Sequence, residues 1–416
     1  MPLKIIIVGA GLAGLGAAIA LNRQGHDIEV IEQSGFLNEV GAAIHLAPNA
    51  TRILKDWECD FDSLQPAPCN QLQVWDKAGG QIRFELVTKE LQEALNITDE
   101  WLLAHRVDLH NTLRATAAKE INGKKPIIRL SSRVASVDAE AGVVLCEDGT
   151  KYTGDLIIGA DGIHSRTVRA ITSRDQQEST GQDCFRFLVP VSKMMANPIT
   201  ASFTERIRLD GMHAFTSYDR KLAVYPCRRG TLLNVAAIHP SGPQGTTGPR
   251  QSSWLDGGSL DRLLGVFEGF GPELLEMCRM AEDIKLWSLG SRKPPHTFFK
   301  DKLVLIGDAA HPTLPHQGQG GAQSFEDGAA LSAVLPSDTT IEQLPQRLEM
   351  YNQVRYARAL TVMILSRMDD GRRGEMADEL RNYVPDAEVP ENMFSFAWNS
   401  YPAREAEVLL QAAECV

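Results

Sequence analysis

A glycine-rich turn constrains this chain more than any other feature. Gly9-Ala-Gly11-Leu-Ala-Gly14 lies between a β-branched run, Lys4 to Val8, and a helical stretch, Leu12 to Arg23. Gly25 stops that helix, Ile28 to Ile31 forms a second strand, and Glu32 stands eighteen residues beyond the last glycine. The pattern is a βαβ unit. Gly9 permits the tight turn, Gly11 lets backbone approach a pyrophosphate, and Gly14 allows close packing of helix on strand. The helix N-terminus offers N–H groups and a partial positive charge to phosphate, and Glu32 would accept hydrogen bonds from ribose hydroxyls. Together these predict dinucleotide binding, and by themselves they leave NAD and FAD both open.

Two further strand-then-turn sites carry glycine and an acid. One is Asp155-Leu-Ile-Ile-Gly-Ala-Asp161-Gly162, the other Lys302-Leu-Val-Leu-Ile-Gly307-Asp308. The second runs through Pro312, Pro315 and Gly318-Gln-Gly320-Gly321 into a helical stretch, Gly321 to Val334. Three such sites spread over about 300 residues predict one nucleotide domain assembled from distant segments. Asp308 could bond a polyol chain, and the helix starting near Gly320 points its positive end at something anionic. Reduced flavin carries negative charge at its pyrimidine edge, so this loop favours a flavin. The plainer reading is an Asp N-cap followed by a proline-rich loop.

Between those sites the texture changes to short alternating runs, such as Lys221 to Tyr225 and Thr231 to Ile238, as in an inserted antiparallel sheet. His239 to Gly258 holds five glycines and three prolines and reads as a surface loop. Glu342 to Met368 reads as helix, and the tail beyond Arg381 as helix-poor until Arg404. At 416 residues the chain has room for two or three domains. Its 42 Lys and Arg against 53 Asp and Glu leave a charge of −11, which argues against binding nucleic-acid phosphates. Seven cysteines without a CxxC pair suit reduced thiols and a cytoplasmic location, and the absence of long apolar runs predicts no membrane span. His311 and His316 are separated by helix-breaking prolines, so no metal site is expected. GxSxG and Walker A sequences are absent, so hydrolase and P-loop chemistry have no support.

The three motifs in this order resemble the class A single-component flavoprotein monooxygenases of the p-hydroxybenzoate hydroxylase fold, in the salicylate hydroxylase-like branch that includes fungal biosynthetic members. The residues that carry the likeness are Gly9 to Gly14, Gly159-Ala-Asp-Gly-Ile-His-Ser165, Gly307-Asp-Ala-Ala-His-Pro312, Pro315 to Gly321, and Glu326-Asp327. The resemblance implies an α/β fold: a discontinuous Rossmann-like FAD-binding domain (1–70, 98–178 and 283–340), an inserted mainly antiparallel substrate domain (71–97 and 179–282), and C-terminal helices (341–416). It implies FAD contacts at Gly9, Gly11, Ala13, Gly14, Glu32, Gln33, Ala43, Arg106, Val134, Asp161, Asp308, Pro315, Gly318, Gly320 and Gly321. Arg106 resembles an arginine reaching the pyrophosphate and ribityl region, though it could also pair with Asp108 at the surface. The family motif usually places an arginine three residues after the serine; here that position is Val168, with Arg169 one further on, and its role stays open.

The same resemblance implies an enzyme in which NADPH or NADH reduces FAD, O2 then forms a flavin C4a-hydroperoxide, and a small phenolic or polyketide-like aromatic is hydroxylated. Epoxidation by the same fold, or an FAD-binding redox or scaffold protein without turnover, are the alternatives. The chain is expected to act as a monomer or homodimer. Three side chains are the candidates for substrate contact. Arg186 resembles an arginine that pairs with a substrate phenolate or carboxylate, with a structural ion pair as the alternative. Tyr225 resembles a tyrosine that orients substrate, although a core aromatic needs no function. His45, in Gly41-Ala-Ala-Ile-His-Leu-Ala-Pro-Asn49, matches a histidine near substrate, or merely lines the pocket. Lys221 and Tyr218 are lesser candidates from the same sheet.

Overall fold

Six strands that are distant in sequence share one sheet, in the order Phe299–Lys300, Leu303–Leu305, Leu156–Gly159, Lys4–Val8, Asp27–Ile31, Ile127–Arg129. In this computed structural model, which describes residues 2–35, 42–173, 177–241, 258–367 and 373–414, all pairings in that sheet are parallel except the edge pair Phe299–Lys300 with Leu303–Leu305. A parallel sheet covered on both faces demands near-continuous apolar strands, and Ile5 to Val8 are accordingly all buried. Val8 pairs with Ile31 and with Gly159, and Gly159 with Leu305, so four carboxyl ends finish in register. Glu32, Gly9, Asp161 and Asp308 follow those ends directly. The open edge of a parallel sheet is where such folds take ligands, and the three motifs meet there.

The inserted domain is a seven-stranded sheet ordered Glu282–Arg292, Gln177–Pro190, Leu232–Pro240, Lys221–Cys227, Met212–Thr216, Gln71–Asp76, Ile82–Val87. Only the pairing of Met212–Thr216 with Gln71–Asp76 is parallel. Alternation splits its faces. Phe185, Phe187, Val189, Val224, Val235 and Phe215 face a core built with the helices Leu260–Val266 and Pro272–Arg279. Cys184, Arg186, Tyr225, Asn234 and Ala236 face the nucleotide domain. The Glu282–Arg292 strand belongs to this sheet, so the insertion runs ten residues past the boundary at 282 set from sequence. Its first residues, Glu282 to Lys285, are too polar to announce a strand; pairing with Gln177–Pro190 makes it one.

A three-stranded sheet, Ala43–Leu46, Leu102–His105 and Ala67–Pro68, joins the two domains. Ala43, Trp101, Tyr225 and Trp398 share one buried cluster at that junction. The C-terminal region is helical, over Leu344–Leu365, Arg373–Arg381, Met393–Trp398 and Pro402–Glu414. The tail beyond Arg381 therefore holds more helix than its sequence suggests: Asn392 caps Met393–Trp398 by accepting from Phe394 and Ser395 N–H. Trp398, packed on Trp101 at 5.3 Å, supplies the anchor that a short helix lacks by itself. Most of the glycine-rich stretch His239 to Gly258, and Cys415, lie outside the described residues. The six described cysteines are buried and unpaired, and burial pushes the thiols up, Cys59 to about 11 and Cys227 to about 12. Among the described residues no helix is long and apolar enough to cross a membrane.

Candidate active site

The first turn is built by its own backbone. Gly9 N–H donates to Ile31 O at 2.8 Å, while Glu32 accepts from Ala10 N–H and Ser34 N–H, both at 2.7 Å. Each Glu32 oxygen keeps a second lone pair for a hydroxyl donor. A Cβ on Gly14 would stand 1.9 Å from Gly9 O, so no other residue lets the helix sit so close. Gly11 is the N-cap of Leu12–Arg23, and a Cβ there would meet nothing within 4 Å. The N-cap is glycine, so no capping side chain takes up the first N–H groups, including that of Ala13. Gln33 is exposed beside Glu32. The run to Val134 is tied to the same turn, since Ser132 N–H donates to Glu32 O at 2.8 Å.

The third motif is braced from behind by a charge network that the sequence did not reveal. Gly307 N–H and His311 Nε2 both bond Asp327 Oδ2 at 2.8 Å, and Arg355 Nε donates to Asp327 Oδ1 at 2.8 Å. Arg355 and Arg358 also hold Glu326, at 2.6 and 2.7 Å. Burial pushes the Asp327 carboxyl up, but His311 and Arg355 overcome it and hold it at about 2. Two carboxylates in the otherwise apolar helix Gly320–Val334 were the available signal, because buried charges need partners. In front of this network Asp308 is accessible to solvent yet closely surrounded by protein, as a group lining a deep cleft must be. Burial raises its pKa, against the fields of His311, Arg106 and Arg292.

Arg292, fully buried at the end of its strand, donates to the carbonyls of Asp308, at 3.0 Å, and Ala309, and to Ile163 O at 3.3 Å. It thereby bolts the second motif to the third. Arg106 opens the helix Arg106–Ala117, and its N–H donates to Ala42 O at 3.0 Å. Asp108, its alternative partner, is engaged by Arg228 at 2.8 and 2.9 Å. Asp161 accepts from Arg166 N–H, Thr167 N–H and Thr167 Oγ1, at 2.6 to 3.0 Å, so its carboxylate organises its own turn. Val168 is buried there and Arg169 exposed. Pro315 opens a short 3₁₀ turn that ends at Gly318 with φ of +63°. A Cβ on Gly318 would lie 2.4 Å from His45 Nδ1, and one on Gly321 2.9 Å from Ile44. Gly320 begins the helix, again with no side-chain cap. Two uncapped helix N-termini, open space at Gly11 and the accessible acids Glu32 and Asp308 fit the phosphates and hydroxyls of FAD.

The sheet brings the three substrate candidates together. His45 stands edge-on to Tyr225 with ring centroids 4.8 Å apart. Burial, then the Arg186 charge, lowers the His45 pKa to about 4, so the ring is neutral at pH 7. Tyr225 O–H donates to Ala43 O at 2.8 Å, and burial pushes its pKa up. Its hydroxyl can accept from a substrate but has no second hydrogen to give. Asn234, not singled out from the sequence, holds the preceding peptide of the same residue: Ala43 N–H donates to Asn234 Oδ1 at 2.9 Å. Arg186 has no carboxylate within ion-pair distance among the described residues; its guanidinium lies 5.8 Å from the Trp287 ring. The described residues therefore supply no structural ion pair for it. Lys221 donates to His316 Nδ1 at 2.6 Å, linking sheet to loop, whereas Tyr218 is fully exposed on the outside. Among the described residues no three His, Cys, Asp or Glu side chains could hold a metal together.

The sequence matches the FAD binding domain family over residues 2–366. The chain belongs to that family. Among the relatives it matches are monooxygenases: it is 33% identical over 420 residues to the FAD-dependent monooxygenase cfoG of Aspergillus candidus, covering 99% of this chain and 95% of that one. It is 33% identical to hispidin-3-hydroxylase of Neonothopanus nambi, over 86% of each. A salicylate hydroxylase solved as a substrate complex superposes with a TM-score of 0.77 at 22% identity, over 98% of both chains, and shares the fold. As an FAD-dependent monooxygenase of the aromatic hydroxylase kind, the protein needs a cofactor domain and a place for substrate beside it.

Proposed function

We propose that the protein hydroxylates a small aromatic, phenolic or polyketide-like, using NAD(P)H and O2, with the substrate held between Arg186, Tyr225 and His45 and the bound flavin. Bound FAD would supply the redox chemistry, taking a hydride from NAD(P)H and activating O2 to deliver one oxygen atom. The rest falls to the chain. The observation that carries this reading is Arg186: an arginine that pairs with no carboxylate among the described residues, on the inner face of the substrate sheet, beside a neutral histidine and a tyrosine. A fixed cation lowers the pKa of a phenol near it and favours the electron-rich phenolate. Tyr225 would accept a hydrogen bond from a second substrate hydroxyl. His45, kept neutral, adds no competing positive charge. Ile44, Leu314 and Trp101 keep apolar surface around the ring, which limits water.

Glu32 would hold the ribose, the helix Leu12–Arg23 the pyrophosphate, Asp308 and Arg106 the ribityl chain, and the helix Gly320–Val334 the negative edge of the reduced flavin. That hydroxylases stand among the relatives supports an aromatic substrate. The test is NAD(P)H oxidation by the FAD-loaded protein with and without phenols. Phenol-stimulated consumption with a hydroxylated product is expected. Flavin that is never reduced under any of these conditions would overturn the reading and leave a binding protein.

A further inference from the structure

One transverse row of the substrate sheet runs Arg186, Ala236, Ala223, Ala214, Val74, Phe84, each paired with the next across neighbouring strands. Paired residues point to the same face, so all six lie on the side that carries Tyr225 and Asn234. After Arg186 the row is apolar throughout and small at its centre. Exposure rises along it: Ala236 is buried, Ala223, Ala214 and Val74 are half-buried, and Phe84 is 48% exposed at the sheet edge. Val74 and Ala214 join none of the hydrophobic clusters among the described residues. The neighbouring row, with Tyr225, Met212 and Leu72, is covered by the cluster around Trp101 and Trp398. The row on the other side runs Cys184, Ile238, Lys221, Thr216 and Asp76, apolar beside Arg186, where it clusters with Leu314, and polar from Lys221 outwards.

This is a trough with an apolar floor, one covered wall and one wall that is polar from Lys221 outwards. It begins at the guanidinium and opens at the edge strand Ile82–Val87, where Phe84 is exposed. Four strand steps separate Arg186 from Val74, about 19 Å at ~4.8 Å per step, well beyond the span of one aromatic ring. We infer that the trough receives an apolar extension of the substrate, so that the substrate is amphiphilic: an acidic phenol or carboxylate ring at Arg186 carrying an alkyl chain or flat conjugated arm over Ala223, Ala214 and Val74. The inference rests on the hydroxylase reading for the head group. It adds that specificity is set at Ala214 and Val74, where only small or apolar side chains leave the floor open.

The experiment is calorimetric titration of the FAD-loaded protein with 4-alkylphenols of increasing chain length. Half-burial of each added methylene should tighten binding about twofold, until the chain reaches the open end. Ala214→Phe, and separately Val74→Asp, should flatten that dependence. A dissociation constant independent of chain length in the parent protein would overturn the inference, and so would a length dependence unchanged in both variants. These outcomes are separate from the reading under test above: a flat series with phenol-stimulated NAD(P)H oxidation removes the trough alone. A steep series without flavin reduction removes the hydroxylase and keeps the trough.

Discussion

At the residue scale the proposal gives Arg186 to the substrate and Asp308 to the cofactor, and the two can be separated by experiment. Asp308 is an acceptor at a strand end, in a cleft, with Arg106 and Arg292 opposing the burial that would neutralise it. Asp308→Ala should purify with much less FAD; full retention would remove it from the cofactor contacts. Arg186→Ala should keep its FAD, yet turn over NAD(P)H with peroxide replacing hydroxylated product; unchanged coupling would return Arg186 to a structural role. The backbone of Ala43, with its C=O held by Tyr225 and its N–H by Asn234, explains why a buried tyrosine sits against the strand Ala43–Leu46. Arg186 and Tyr225 could be named from the sequence because their local runs resemble family motifs. Asn234 could not: its partner is 191 residues away, and nothing near Leu-Asn-Val sets that asparagine apart from others in strands.

At the scale of elements, the helices Gly320–Val334 and Leu344–Leu365 are tied through Arg355, which bonds Asp327, Glu326 and Gln323 with no exposure. Removing one partner from a buried ion network leaves the others uncompensated, which costs about 3–5 kcal/mol. Arg355→Met should therefore lose stability on that scale in denaturant unfolding, and FAD with it, because Gly307 hangs from Asp327. A loss under 1 kcal/mol, on the scale of an exposed surface pair, would contradict the bracing role. The strands Lys4–Val8 and Leu156–Gly159 were legible because a parallel strand is apolar through its length. The Glu282–Arg292 strand was not, since its polar start is made regular only by a neighbour a hundred residues earlier. Asp161 shows the same limit from the other side: the motif is recognisable, but that its carboxylate caps its own turn is a matter of geometry.

For the whole molecule, buried neutral histidines couple stability to pH. His213 is fully buried and His45 lies in the cleft; burial lowers both to about 4, against an ordinary 6.5. Below 6.5 the unfolded chain takes up protons that the folded one refuses, so stability falls as pH drops from 6.5 towards 4. At pH 5 His213 alone accounts for about 2 kcal/mol. His213→Gln should flatten that slope in melting experiments, and an unaltered slope would place the acid sensitivity elsewhere. The discontinuous domain plan was legible because three glycine–acid turns mark three strand ends. Their meeting depends on the register of Val8, Gly159 and Leu305, which only the sheet fixes.

The functional claim for the assembled molecule is that oxygen passes to an aromatic held at the Arg186 face beside bound FAD. Turnover of the FAD-loaded protein with NAD(P)H, a phenolic substrate and isotopically labelled dioxygen tests this without intermediary. One labelled oxygen atom in each hydroxylated product molecule is the expected result, with the second atom in water. Product that carries only solvent oxygen, or labelled peroxide with no labelled product, would contradict it.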